Sequence, residues 1–261
     1  MNLVVENAEN ADGWVLRPVR RRAGRIRLLC LPYAGGSAAV FHGWGDLLPE
    51  AVEPWAVRLP GRDARMGEPP ATDLRTVAAE AAEAVAGLLG DEPFALFGHS
   101  LGAYLAYEMA RALRDKWDLH PSLLAVSASH APRARVRAGA PLHRLPDEEF
   151  LEALDTRYGA IPPVIREDRQ LRAVYLPILR ADVTMLETYE YLPGGPLACP
   201  VLAFGGSEDR ETSRAGLAAW GELTGAGSSV ALLPGGHFFL QPERERLLSL
   251  LAPELLRTLV P

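Results

Sequence analysis

The stretch Phe97-Gly-His-Ser-Leu-Gly-Ala-Tyr104 places one serine between two glycines, directly after the apolar run Pro93–Phe97 and directly before Leu101–Leu113. The first run is short, apolar and closed by glycine, which is how a strand buried on both faces reads. The second carries apolar residues at helical spacing. Gly98-His99-Ser100-Leu101-Gly102 therefore lies at a strand-to-helix turn. Small residues on either side let the backbone bend sharply there. A serine at the apex projects above the sheet edge, with helical amides beneath it to meet developing negative charge.

The same rhythm extends through the chain. Ile26–Tyr33, Pro54–Gly61, Ser122–Ser129, Pro200–Gly206 and Ser229–Gly236 are further strand candidates. Helical patterns lie between them: Asp73–Leu89, Thr212–Leu223, and Glu243–Leu259 with an interruption at Pro253. Thr72 or Asp73 supplies an N-cap for the first of these. Alternating strands and helices predict an α/β fold, a mostly parallel central sheet flanked by helices. Pro141–Leu192 breaks the alternation with helical pieces only, divided at Gly159, Pro162 and Pro163. This predicts one domain over residues 1–261, with a helical lid inserted at 141–192.

Composition narrows the function classes. The chain has 261 residues, 48% hydrophobic and 23% charged, as expected of a globular protein with a sizeable core. Its net charge of −6 gives no general attraction to nucleic acid or membrane surfaces. No apolar run approaches the ~18 residues of a membrane span, and residues 1–13 lack the pattern of a signal peptide. A cytoplasmic protein, monomeric for want of any sign of assembly, is the expectation. Cys30 and Cys199 sit in apolar runs and read as separate core residues. Walker, dinucleotide, zinc-protease and paired C-x-x-C motifs are absent from the sequence, so neither a metal nor a cofactor is implied.

A serine hydroxyl needs a base. Of six histidines, only His237 follows the last strand candidate, on the loop where an α/β-hydrolase places its base after the order serine, acid, histidine. Glu208 and Asp209 end the preceding strand, and either could orient the imidazole. The amide of Leu101 supplies one oxyanion donor. The second is expected from the glycine-rich loop after the first strand, at Ala34, with Tyr33 as a wall.

With these residues in view, the chain resembles the stand-alone type II thioesterases of polyketide and nonribosomal peptide synthesis, which are α/β-hydrolases. The likeness rests on LCLPYAGGSA near Leu29, VRLPGRDAR near Leu59, FGHSLGA at Ser100, PILRADVTMLETYEY in the insertion and PGGHFFLQ at His237. It implies that Asp209, last in the turn Gly206-Ser207-Glu208-Asp209, is the acid. Ser207 departs from the family's first aspartate in that turn. SASHAP, Ser127–Pro132, departs from the Gly-Arg pair more usual in the family and leaves the role of His130 near the site open. The resemblance also implies hydrolysis of acyl thioesters on acyl or peptidyl carrier proteins, with Tyr175, Leu176, Met185 and Tyr189 as candidate acyl-chamber liners. A carboxylesterase or lipase on the same fold, or an inactive hydrolase-like binding protein, are the alternatives. The basic run Arg17–Arg27, or Arg62, could steer an acidic carrier.

Overall fold

The computed structural model describes residues 13–17, 24–135, 139–159 and 161–259. A seven-stranded sheet organises them. In chain order the elements are β1 (Val15–Leu16), β2 (Ile26–Leu31), α1 (Trp44–Leu47), β3 (Val52–Val57), α2 (Leu74–Leu89), β4 (Phe94–His99), α3 (Leu101–Trp117) and β5 (Leu123–Ser127). After these come α4 (Asp147–Tyr158), α5 (Pro163–Glu167), α6 (Arg169–Thr188), β6 (Val201–Gly206), α7 (Arg214–Ala218), β7 (Ser228–Leu233) and α8 (Arg244–Arg257). The sheet order is β1-β3-β2-β4-β5-β6-β7, with only β1 antiparallel to its neighbour.

Strand residues alternate between two cores, as a two-residue period demands. Leu29 and Leu31 of β2, Leu96 of β4 and Val126 of β5 face one side with α2 and α3. Leu28 and Cys30, Phe97 and Ala125 face the other, with Trp44 of α1 and Leu251 of α8. Both faces are covered, which explains why the strands read as nearly unbroken apolar runs. The insertion α4–α6 has a small core of its own, built on Phe150, Leu154, Ile165 and Leu179.

Several sequence expectations shift. β1 was too short to read from pattern. β3 begins two residues before Pro54; among the described residues β1 pairs with Ala56 and Val57 and leaves the proline, which has no N–H to donate, outside that pairing. The helix expected over Thr212–Leu223 is α7 followed by a 3-10 turn, Ala219–Leu223. α8 runs through Pro253 without a break, because the proline lies on an exposed side where the unpaired carbonyl can meet water. Asp73 is the cap of α2, accepting the Thr76 amide at 2.7 Å. Cys30 and Cys199 are both buried and free.

Candidate active site

Ser100 sits between β4 and α3 with φ 54° and ψ −114°, a strained conformation for a residue with a Cβ. Its amide donates to the Ser127 carbonyl at 2.7 Å, which holds the turn against β5. The flanking glycines are required by close approach. A Cβ at Gly98 would collide with the Gly102 carbonyl, and one at Gly102 with the Leu31 carbonyl. The turn thus presents the Ser100 hydroxyl at the carboxyl end of the sheet, at the start of a 17-residue helix.

His237 arrives on the loop after β7. Its Nε2 lies 3.0 Å from Ser100 Oγ, and its Nδ1 lies 3.0 Å from Asp209 Oδ2. Asp209 comes from the turn after β6, where its other oxygen accepts the Glu211 amide at 2.9 Å. Burial opposes the charge on this carboxylate. Hydrogen bonding to His237, the charge of that ring, and bonds from Glu211 and Thr212 outweigh it and hold the acid below its usual range. Glu208 is exposed and does not join the chain of contacts. With Nδ1–H directed to the carboxylate, Nε2 is the free acceptor for the serine proton.

His99, inside the serine motif, has a role that sequence reading passed over. Its Nε2 lies 3.0 Å from the His237 carbonyl oxygen and its Nδ1 lies 2.9 Å from Ser127 Oγ. A carbonyl can only accept, so Nε2 carries the proton and Nδ1 accepts from the serine hydroxyl. Burial, then the proximity of His237, pushes His99 down to about 3, so it stays neutral.

The site opens into a cavity of about 480 Å³ lined by both the sheet loops and the insertion. Tyr158, the last residue of α4, lays its ring 4.8 Å from that of His237. Its neighbour Arg157 pairs with Glu211, two residues after Asp209, at 2.5 Å. Deeper on the insertion side, Glu187 accepts the amides of Leu142 and His143 and lies 2.5 Å from His143 Nδ1.

Residues 26–255 match the thioesterase-domain family. The chain belongs to the thioesterase family. Over 248 residues it is 36% identical to the gramicidin S biosynthesis protein GrsT of Aneurinibacillus migulanus, covering 95% of this chain and 96% of that one. It is 33% identical to the thioesterase PikA5 of Streptomyces venezuelae, over 94% of this chain and 86% of the other. Among solved structures, RedJ, a thioesterase of the prodiginine pathway in Streptomyces coelicolor, superimposes with a TM-score of 0.82 at 36% identity. That match covers 91% of this chain and 89% of RedJ. The mostly parallel sheet with its helical insertion is the α/β-hydrolase fold.

Within this thioesterase-family framework, Tyr33, Ala34 and Tyr175 line the cavity beside Ser100 and His237. Three other expected liners lie in packed cores instead. Leu176 faces the interior of the insertion. Met185 and Tyr189 join the α2–α3 core, and the Tyr189 hydroxyl donates to buried Glu108 at 2.6 Å. All three occupy helix α6 or its end, whose apolar face must serve chamber and core together. Arg62 is buried and paired with Asp182, so it is no exposed steering charge. Residues 18–23, most of the basic run, lie outside the described residues. His130 accepts the Ser213 amide at 2.8 Å, which braces the segment following Asp209. Among the described residues no group of acidic, histidine or cysteine side chains could hold a metal ion, and no helix is long and apolar enough to cross a membrane.

Proposed function

We propose that this protein hydrolyses acyl thioesters borne on the phosphopantetheine arm of acyl or peptidyl carrier proteins, and so clears stalled or aberrant acyl groups from a polyketide or nonribosomal peptide assembly line. The observation that carries the reading is the Ser100–His237–Asp209 chain at the foot of a chamber roofed by the helical insertion, in a member of the thioesterase family. The names of GrsT, PikA5 and RedJ support the pathway setting. The same reading makes carrier domains of a synthase the partners, the cytoplasm the setting, and residues 141–192 a lid over the acyl group.

In this mechanism Ser100 Oγ attacks the thioester carbonyl while His237 Nε2 takes its proton, and Asp209 stabilises the imidazolium. The oxygen of the tetrahedral intermediate receives hydrogen bonds from the amides of Leu101 and Ala34. Leu101 is the first residue of α3, so its N–H has no acceptor within the helix. Collapse breaks the C–S bond, and His237 returns the proton to the departing thiolate. Water then enters, gives its proton to His237 and attacks the acyl-serine. Breakdown frees the carboxylic acid and restores Ser100.

Intact-mass measurement of a panel of acyl-loaded carrier proteins, beside simple esters of the same acyl groups, tests the substrate class. Faster loss of the acyl mass from the carriers than cleavage of the free esters supports a carrier-directed thioesterase. Carriers that stay loaded while esters are consumed identify a carboxylesterase.

A further inference from the structure

Two of the motif-bearing stretches meet where the mechanism above assigns them no work. Arg62, on the loop after β3, and Asp182, in the middle of α6, close a guanidinium fork on a carboxylate: Nη1 to Oδ2 and Nη2 to Oδ1 are each 2.7 Å. The side chains are 5% and 0% exposed. Their further hydrogen bonds run to the glycine-rich loop. Asp182 Oδ2 accepts the Gly35 amide at 2.7 Å, and Arg62 Nη1 donates to the Gly36 carbonyl at 2.9 Å. Arg62 also reaches back to the Pro60 carbonyl, and the adjacent Asp63 accepts the Ala38 amide at 3.0 Å. The two residues immediately after Ala34 are therefore gripped through one donor and one acceptor.

Taking two charges out of water carries a large desolvation penalty, and only close geometry offsets it. Apolar packing would suffice merely to seat α6, as Leu179 and Val183 already do within the insertion. A bidentate ion pair adds a fixed orientation, which apolar contact does not. What it orients here is a turn that needs orienting: Gly35 has φ +76°, and the Gly36 amide closes onto the Tyr33 carbonyl at 2.9 Å around Ala34.

We infer that Arg62 and Asp182 are positioning residues for the oxyanion hole, locking the Tyr33–Gly36 turn so that the Ala34 amide meets the tetrahedral oxygen. Because Asp182 rides on α6, the pair also ties this helix of the insertion to the oxyanion loop. The inference rests on the serine mechanism proposed above, and not on the identity of the acyl carrier.

The test compares wild type with Asp182→Asn and Arg62→Lys, which keep size or charge but lose the matched fork. Turnover is measured on an acyl-N-acetylcysteamine thioester and on a p-nitrophenyl ester. Binding is measured for a trifluoromethyl ketone, which forms a tetrahedral adduct on Ser100, and for an uncleavable thioether analogue. The expected result is a kcat about 10- to 100-fold lower on both acyl donors with KM changed by less than about threefold. Affinity for the ketone falls by the same factor, and affinity for the thioether holds. A folded variant with unchanged kcat overturns the inference, as do equal losses of both ligands. Loss of cooperative folding in both variants also overturns it, since the pair is then a structural prop. Wild-type turnover of the ester but not the thioester would retire the thioesterase function while leaving this test readable on the ester.

Discussion

His99 donates its Nε2–H to the backbone carbonyl of His237 at 3.0 Å, so the residue before the serine also holds the loop that carries the base. Replacing it with leucine keeps the bulk. It leaves the His237 carbonyl and the Ser127 hydroxyl without their buried partner, at a cost of about 1–3 kcal/mol for each orphaned group. His99→Leu is expected to lower both the denaturation midpoint and kcat. Chemical denaturation and steady-state turnover on one preparation check it; a folded variant with wild-type kcat would detach the loop from His99.

The same histidine makes stability depend on pH. Burial holds its pKa down to about 3 in the folded protein, against about 6.5 in the unfolded chain. Between those values the unfolded chain binds a proton that the native protein refuses, so stability falls as pH falls. The contribution is complete above about pH 6.5 and declines by up to about 1.4 kcal/mol per pH unit below it. The difference in unfolding free energy between wild type and His99→Leu should narrow steadily on acidification. A difference constant from pH 7 to pH 4 would contradict a neutral buried His99.

Tyr158 closes the chamber over the base through its ring, 4.8 Å from the ring of His237. An aromatic contact of this kind is worth about 0.5–1.5 kcal/mol. Tyr158→Ala should therefore loosen the His237 ring and lower kcat on the acyl thioester by up to about tenfold, while Tyr158→Phe, which keeps the ring, stays within about twofold. Equal effects of the two substitutions would place the function in the hydroxyl instead.

Gly98 and Gly102 are fixed by space. A methyl group at either position meets a backbone carbonyl that cannot rotate away. Gly102→Ala is expected to cost about 3 kcal/mol and to reduce turnover by displacing Ser100. Thermal unfolding measures the first effect and active-site labelling with a fluorophosphonate the second.

Much of this was readable in the sequence because the decisive signals are local. A strand, a glycine-flanked serine and a helix within twenty residues define the elbow. Chain order then selects His237 from six histidines. What escaped depends on contacts between distant segments. β1 has two residues and no pattern of its own. Arg62 reads as a surface charge until its partner, 120 positions away, is in place. Helix α6 presents apolar residues to its own core, to the sheet core and to the chamber. Periodicity identifies such a face but does not divide it among three neighbours, so Tyr175 reached the cavity while Leu176 and Met185 did not. His130 has its meaning only through the Ser213 amide.

The central claim is that Ser100 takes the acyl group from a carrier-bound thioester. The most direct measurement is acid quench of the protein within its first turnovers on an acyl-loaded carrier, followed by intact mass and peptide mapping. The account predicts the acyl mass on the peptide containing Ser100, its accumulation when water attack is slowed in His237→Ala reacted with an activated thioester, and its absence in Ser100→Ala. Deacylation of the carrier at wild-type rate by Ser100→Ala would contradict it.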